Sequence, residues 1–188
     1  MSSLDHSKFI PEFTNAGIKV YSNSQVVEKH GGESYNLRII EENKQFKIGE
    51  FSIIPFLVRH DVNVKTFGFL IFHEEMGKTV FLTDLVYSKF TFKNISNWIV
   101  EANYDEELVK SSDGFLPSRV INSHLSIQNC IKLLESNDLS QTINICLVHL
   151  SERNSNAKDF KRKVTQATNK LVHIAEPNLT INFDKTPF

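Results

Sequence analysis

Three apolar runs crowded into the middle of the chain constrain its fold most: Phe51 to Val58, Thr66 to Phe72 and Thr79 to Thr83. Each is rich in Phe, Ile, Val and Thr, short enough for a strand and too short for a typical helix. Glu74-Glu75-Met76-Gly77-Lys78 between the last two reads as a hairpin turn. A β-rich centre of this kind must bury at least one face, so the flanking segments have to supply the covering layers.

Those segments alternate in character. Ser7 to Ala16 reads as a helix stopped by Gly17, followed by a strand over Ile18 to Tyr21. Asn23-Ser24 can cap a short second helix that ends at Gly31-Gly32. Tyr35 to Ile40 and Gln45 to Ile48 add strands before the central runs, and Asn97 to Glu101 adds one after them. Tyr104 to Lys110 and Ser126 to Glu135 read as helices, the latter with Ser126 as N-cap. Ile143 to Val148 reads as a buried strand, Ala157 to Leu171 as an amphipathic helix, and Leu179 to Phe183 as a terminal strand. No linker or repeat divides the 188 residues, so the expectation is a single α/β domain over residues 1–188.

Composition narrows the function classes. With 40% hydrophobic and 23% charged residues the chain is of the globular kind. A net charge of −1 provides no global attraction to nucleic acid or to an anionic membrane. No apolar run approaches the roughly 18 residues of a membrane span. Cys130 and Cys146, with no targeting segment, suggest buried thiols and a cytoplasmic setting.

Against this background the placement of certain histidines and aspartates stands out. His60 follows the run ending at Val58, Asp84 ends the run at Thr83, and His149 ends the run at Val148. Asp5-His6 lies near the start, and His124 precedes the helix capped by Ser126. Strand ends open into loops where a metal ion and a substrate can enter, and His and Asp are ligands for zinc-type ions. Taken singly, each residue has a plainer explanation as a helix cap, a turn residue or a bonded core histidine. Their order along the chain is what argues for a metal site.

That order resembles the ligand series of the metallo-β-lactamase superfamily, and most of all its phosphodiesterase and nuclease branch, which includes ribonuclease Z. The matching stretches are Asp5-His6, His60 ahead of Phe67-Gly68-Phe69, Thr83-Asp84, His124-Leu125-Ser126 with Gln128, and His149-Leu150-Ser151 with Arg153-Asn154. Glu101-Ala102-Asn103-Tyr104-Asp105 is similar to a Glu-Ala-Asn-His-Asp stretch of exonuclease-like members. The likeness extends to about residue 155.

The resemblance implies an αββα sandwich lacking its N-terminal strands. It implies Asp5, His6, His60, Asp84 and His149 as metal ligands, with Asp84 bridging, and His124 and Asp84 as the catalytic pair. The cofactor implied is zinc, one or two ions, with manganese as an alternative. The substrate implied is a phosphodiester or nucleic acid, cleaved by metal-activated water, and Glu101 or Asp105 is expected to orient a histidine. Aligned on the family's His-x-His-x-Asp-His, the chain has Met1 and Ser3 in place of the first two histidines. Methionine and serine are poor ligands at such a site. The expectation is therefore a fragment, a mis-started frame or a degenerate member, its uncovered strands met by a second copy or a partner. The competing reading is an inactive or truncated member with a partial metal site, acting as a binding or structural remnant.

Overall fold

A computed structural model describes residues 7–60, 65–111 and 121–186. Its frame is a seven-stranded mixed sheet in the order β3-β4-β5-β6-β7-β8-β9. The strands are β3 (Phe46–Ile48), β4 (Phe51–Val58), β5 (Thr66–His73), β6 (Gly77–Leu82), β7 (Asn97–Glu101), β8 (Asn144–Val148) and β9 (Leu171–Ile174). β3 to β6 form an antiparallel meander. From β6 onward the neighbours are parallel, which requires crossovers between them.

Helices α4 (Ile127–Glu135) and α5 (Ala157–Thr168) follow β7 and β8 and cover one face of this sheet. Strand alternation selects the residues they meet: Phe56, Val58, Val80, Leu82, Trp98, Val100, Ile145, Leu147 and Val172 form one core with Ile127, Cys130, Leu134, Phe160 and Val164. Both helices start on side-chain caps, Ser126 accepting from Asn129 N at 3.1 Å and Asn156 from Asp159 N at 3.1 Å. Gly68 is required where β5 passes the Phe56 ring, because a Cβ there would lie 2.6 Å from it.

A smaller layer precedes the sheet. Helices α1 (Ile10–Asn15) and α2 (Ser24–Lys29) and the parallel pair β1 (Val20–Ser22) and β2 (Leu37–Ile39) close over Ile10, Val27 and Leu37. Asn23 and Gln25 tie α2 to the backbone of Lys65 at the entry to β5, at 2.8 and 2.9 Å. Helix α3 (Glu106–Ser111) follows β7. Among the described residues no helix is long and apolar enough to cross a membrane.

The C-terminal end differs from the sequence expectation. The amphipathic helix stops at Thr168, with Asn169 in the left-handed conformation (φ 53°), and Leu171–Ile174 forms β9 alongside β8. Residues 179–184 form no strand. They cross the sheet instead, where Asn97 donates to Phe183 O at 3.3 Å and Asn144 to Asn182 O at 3.2 Å. Backbone pairing with β8 was open to only one of the two apolar segments, and the nearer one took it.

Candidate metal centre

β6, β7 and β8 are adjacent and parallel, so their carboxyl ends reach the same edge of the sheet, where ligands of open α/β sheets bind. Asp84 lies two residues past β6, Glu101 is the last residue of β7, and His149 follows β8. His124 arrives at the same place from the turn before α4. One ligand atom from each of Asp84, Glu101, His124 and His149 lies within 4.8 Å of all the others. The His124 and His149 rings meet edge to face with centroids 5.0 Å apart.

Glu101 is the hub of this group and is fully buried. Its Oε1 accepts from His124 Nδ1 at 2.8 Å and from Leu125 N at 3.2 Å. Its Oε2 accepts from the backbone N–H of Asp84 and lies 3.4 Å from His149 Nδ1. Burial alone raises the pKa of the Glu101 carboxyl, but the bonds and charges of His124 and His149 outweigh it and hold it below its ordinary value. The Glu101 bond in turn raises the His149 pKa, aided by the Asp84 charge, against an opposing effect of burial. Asp84 Oδ1 lies 3.6 Å from His149 Nδ1 and 3.9 Å from His124 Nδ1. Asp84 (φ 53°) and His149 (φ 60°) both take left-handed backbone, which is unfavourable for a residue with a side chain and aims each out of its strand end.

His60 stands one layer out, its ring 5.6 Å from that of His124. Its Nδ1 lies 2.6 Å from Ser123 O, and a carbonyl can only accept, so Nδ1 carries the proton and Nε2 is left as the acceptor. Asp5 and His6 lie outside the described residues, as do Met1 and Ser3. Of the two acids expected to orient a histidine, Glu101 does so and Asp105 does not. Asp105 instead accepts from Lys163 Nζ at 2.7 Å, Gln128 Nε2 at 2.7 Å and Glu107 N at 2.9 Å. Its own N–H donates to Asn154 O at 2.9 Å, which joins the turns after β7 and β8.

The donor set suits a zinc-type dication. Carboxylate oxygen and imidazole nitrogen are its usual ligands, and the buried carboxylate behind the histidines supplies the outer bond that fixes ring orientation. The buried Asp105–Lys163 contact leads to a separate expectation. Burial by itself raises the Asp105 pKa, but Lys163 and Gln128 outweigh it and hold the group below its ordinary value of 3.8. The stabilisation is therefore complete above that value and fades as pH falls through the folded-state pKa. Asp105→Ala is expected to cost about 2 kcal/mol in urea denaturation at neutral pH, because the Gln128 amide and the Glu107 N–H lose their acceptor, while Lys163 keeps Asp159 Oδ2 at 2.9 Å. A cost below about 0.5 kcal/mol would reduce the pair to an ordinary surface contact.

Compared by sequence, the chain matches no protein-family model and no curated protein. Compared by structure, it superposes on several solved proteins. With the metallo-β-lactamase fold protein YhfI from Bacillus subtilis the TM-score is 0.67 at 14% identity, covering 94% of this chain and 72% of the other. With zinc-bound PqqB from Methylobacterium extorquens it is 0.62 at 12% identity, covering 87% and 64%. With a diphosphatase of the PhnP family it is 0.55 at 12% identity, covering 87% and 58%. A mixed sheet flanked by helices, with acid and histidine side chains at the carboxyl ends of its parallel strands, superposes on these proteins over most of the chain: this protein has the metallo-β-lactamase fold.

Proposed function

We propose that this protein is a metal-dependent hydrolase of the metallo-β-lactamase superfamily acting on a phosphodiester. The observation that carries this reading is the convergence of Asp84, Glu101, His124 and His149 at the carboxyl end of three parallel strands. The phosphorus chemistry draws support from the His124-Leu125-Ser126 motif and from the diphosphatase among the structural neighbours. The zinc-bound neighbour and the mixed oxygen and nitrogen donors favour zinc.

In this reading Asp84 and His149 would hold the ion, Asp5 and His6 are the further ligands the resemblance implies, and His60 would offer Nε2 to a second position. A zinc-type ion supplies Lewis acidity and an activated water when bound. The chain's own residues do the rest. Glu101 takes the Nδ1 proton of His124 into a hydrogen bond, so Nε2 is the ring nitrogen left for chemistry. With its ring protonated at both nitrogens, His124 can deliver the Nε2 proton to the leaving oxygen, ending as the neutral Nδ1–H form that Glu101 holds, or donate from Nε2 to charge developing beside it. Because Glu101 is buried and held at both oxygens, the His124 ring does not have to be oriented anew in each cycle.

The test is zinc titration of chelator-treated protein, together with hydrolysis of bis-(p-nitrophenyl) phosphate. Zinc binding at one or two ions per chain and chelator-sensitive turnover are expected. His149→Ala should lower both affinity and rate by about 100-fold or more, since it removes a ligand and not merely an outer partner. Turnover indifferent to chelation and to His149→Ala, or a protein that takes up no zinc, would overturn the reading.

A further inference from the structure

We infer that Asn103 is a positioning residue that holds His149 in its ligand-presenting backbone conformation and couples that turn to the turn carrying His124. The inference rests on the metal-centre reading for what the coupling achieves. The geometry behind it stands independently.

His149 has φ 60°, a conformation uncommon for residues that carry a side chain, although His enters it more readily than most, and surrounding contacts help to hold it. Two of the backbone contacts around it come from one residue on a different loop. Asn103 Nδ2 donates to the carbonyl of His149 at 2.8 Å, and Asn103 O accepts from Ser151 N at 2.8 Å. The backbone is therefore held on both sides of the Leu150 position. Asn103 also reaches the other histidine turn, because its N–H donates to Leu125 O, the residue after His124, at 2.8 Å. A single buried residue thus bonds to the turns that carry both rings, which meet at 5.0 Å.

Glu101, two residues earlier, plays the same part for the other left-handed residue of the site, accepting from Asp84 N. The end of β7 therefore carries a clamp of alternate residues: Glu101 holds Asp84 from one side and Asn103 holds His149 from the other. Glu101 is an acceptor because its target is an N–H, and Asn103 must be a donor because its target is a carbonyl. Without the amide donor, the His149 carbonyl loses the bond that opposes relaxation towards extended backbone. Such relaxation would swing the His149 ring away from Asp84 and His124 while leaving the sheet beneath unchanged.

Asn103→Asp is the discriminating variant. It keeps the size of the side chain and both main-chain bonds of residue 103, and it replaces the donor by an acceptor facing a carbonyl. Two readouts are needed, the nuclear Overhauser contact between the His124 and His149 rings in metal-free protein and the affinity for zinc. In Asn103→Asp the ring-to-ring contact should weaken or vanish, and zinc affinity should fall about 10- to 100-fold, the range for removal of an outer-shell partner. Asn103→Ser, which retains a short donor, should recover part of both.

An Asn103→Asp protein with lower thermal stability but an unchanged ring contact and zinc affinity would make Asn103 a structural residue only and overturn the inference. If the ring contact is lost while wild-type protein binds no zinc, the positioning role stands and the hydrolase reading falls. If wild type binds zinc and Asn103→Asp binds it equally well with the ring contact kept, the reverse holds.

Discussion

Replacing Glu101 by alanine is expected to abolish zinc binding and to destabilise the fold in the same step. The side chain is fully buried and accepts from Asp84 N, Leu125 N and His124 Nδ1, with His149 Nδ1 at 3.4 Å. Truncation leaves two backbone N–H groups without their acceptor in a site with little water access, at a cost of about 1–3 kcal/mol each. It also releases Asp84 and both rings. A loss of about 4 kcal/mol in urea denaturation is expected, or about 10 °C in Tm for a chain of this size.

Glu101→Gln is the finer probe. One oxygen remains to accept from His124 or from Asp84 N, but not from both, so stability should fall by less while zinc affinity still drops. The pH dependence of the difference carries a sign that can be worked out. Glu101 titrates below its ordinary 4.5 in the fold, so its contribution is complete above that value and is lost as pH falls through the folded-state pKa. His149 titrates above its ordinary 6.5, so its contribution is complete below that value and is lost as pH rises through the folded-state pKa. For metal-free protein the stability gap between wild type and Glu101→Gln should therefore be widest between about pH 4.5 and 6.5 and narrow on both sides. A gap that is flat from pH 4 to 8 would show that the carboxylate and the imidazole do not exchange stabilisation.

Trp98→Ala should produce the opposite combination, a large loss of stability with the site left intact in the folded fraction. Trp98 has no exposed surface, packs edge to face on Phe92 at 5.8 Å and donates Nε1–H to Thr142 Oγ1 at 3.2 Å. It sits at the middle of the core between the sheet and α4 and α5. Large-to-small changes of this kind cost about 3–5 kcal/mol, combining lost transfer energy with an unfilled cavity. Alternation along β7 places Trp98 and Glu101 on opposite faces, so zinc affinity measured under folding conditions should change little. Trp98→Phe should recover a large part of the stability. A cost below about 1 kcal/mol for the alanine variant would mean that the core is loosely packed, contrary to its full burial. Together, the Glu101 and Trp98 variants separate the stability of the frame from the competence of the site.

How much of this could be read from residues alone depends on the range of the forces involved. The central strands were legible because their signal is local: β-branched and aromatic residues in short runs, broken by Glu74 to Lys78. The strand-end positions of Asp84 and His149 were legible for the same reason, since an apolar run followed by an acid or imidazole declares where a buried strand opens to solvent. The caps at Ser126 and Asn23 are likewise one-turn chemistry.

The allocation of strands was not local, and there the sequence misled. Leu171 looks like the last residue of a helix and Leu179 to Phe183 like a strand, yet which segment pairs is decided by the free edge of β8, a partner more than twenty residues away. The hub role of Glu101 was beyond reach for a related reason. The sequence named it as a candidate to orient one histidine, with Asp105 as an equal alternative. Only the parallel register of β6, β7 and β8 brings Asp84, His124 and His149 to one carboxylate and turns Asp105 towards Lys163. Residue types and their order were enough to determine a sheet-based domain with acids and histidines at its strand ends. Crossover packing, which no local pattern encodes, decided which of them meet, because contact between distant segments is set by how whole layers bury their apolar faces.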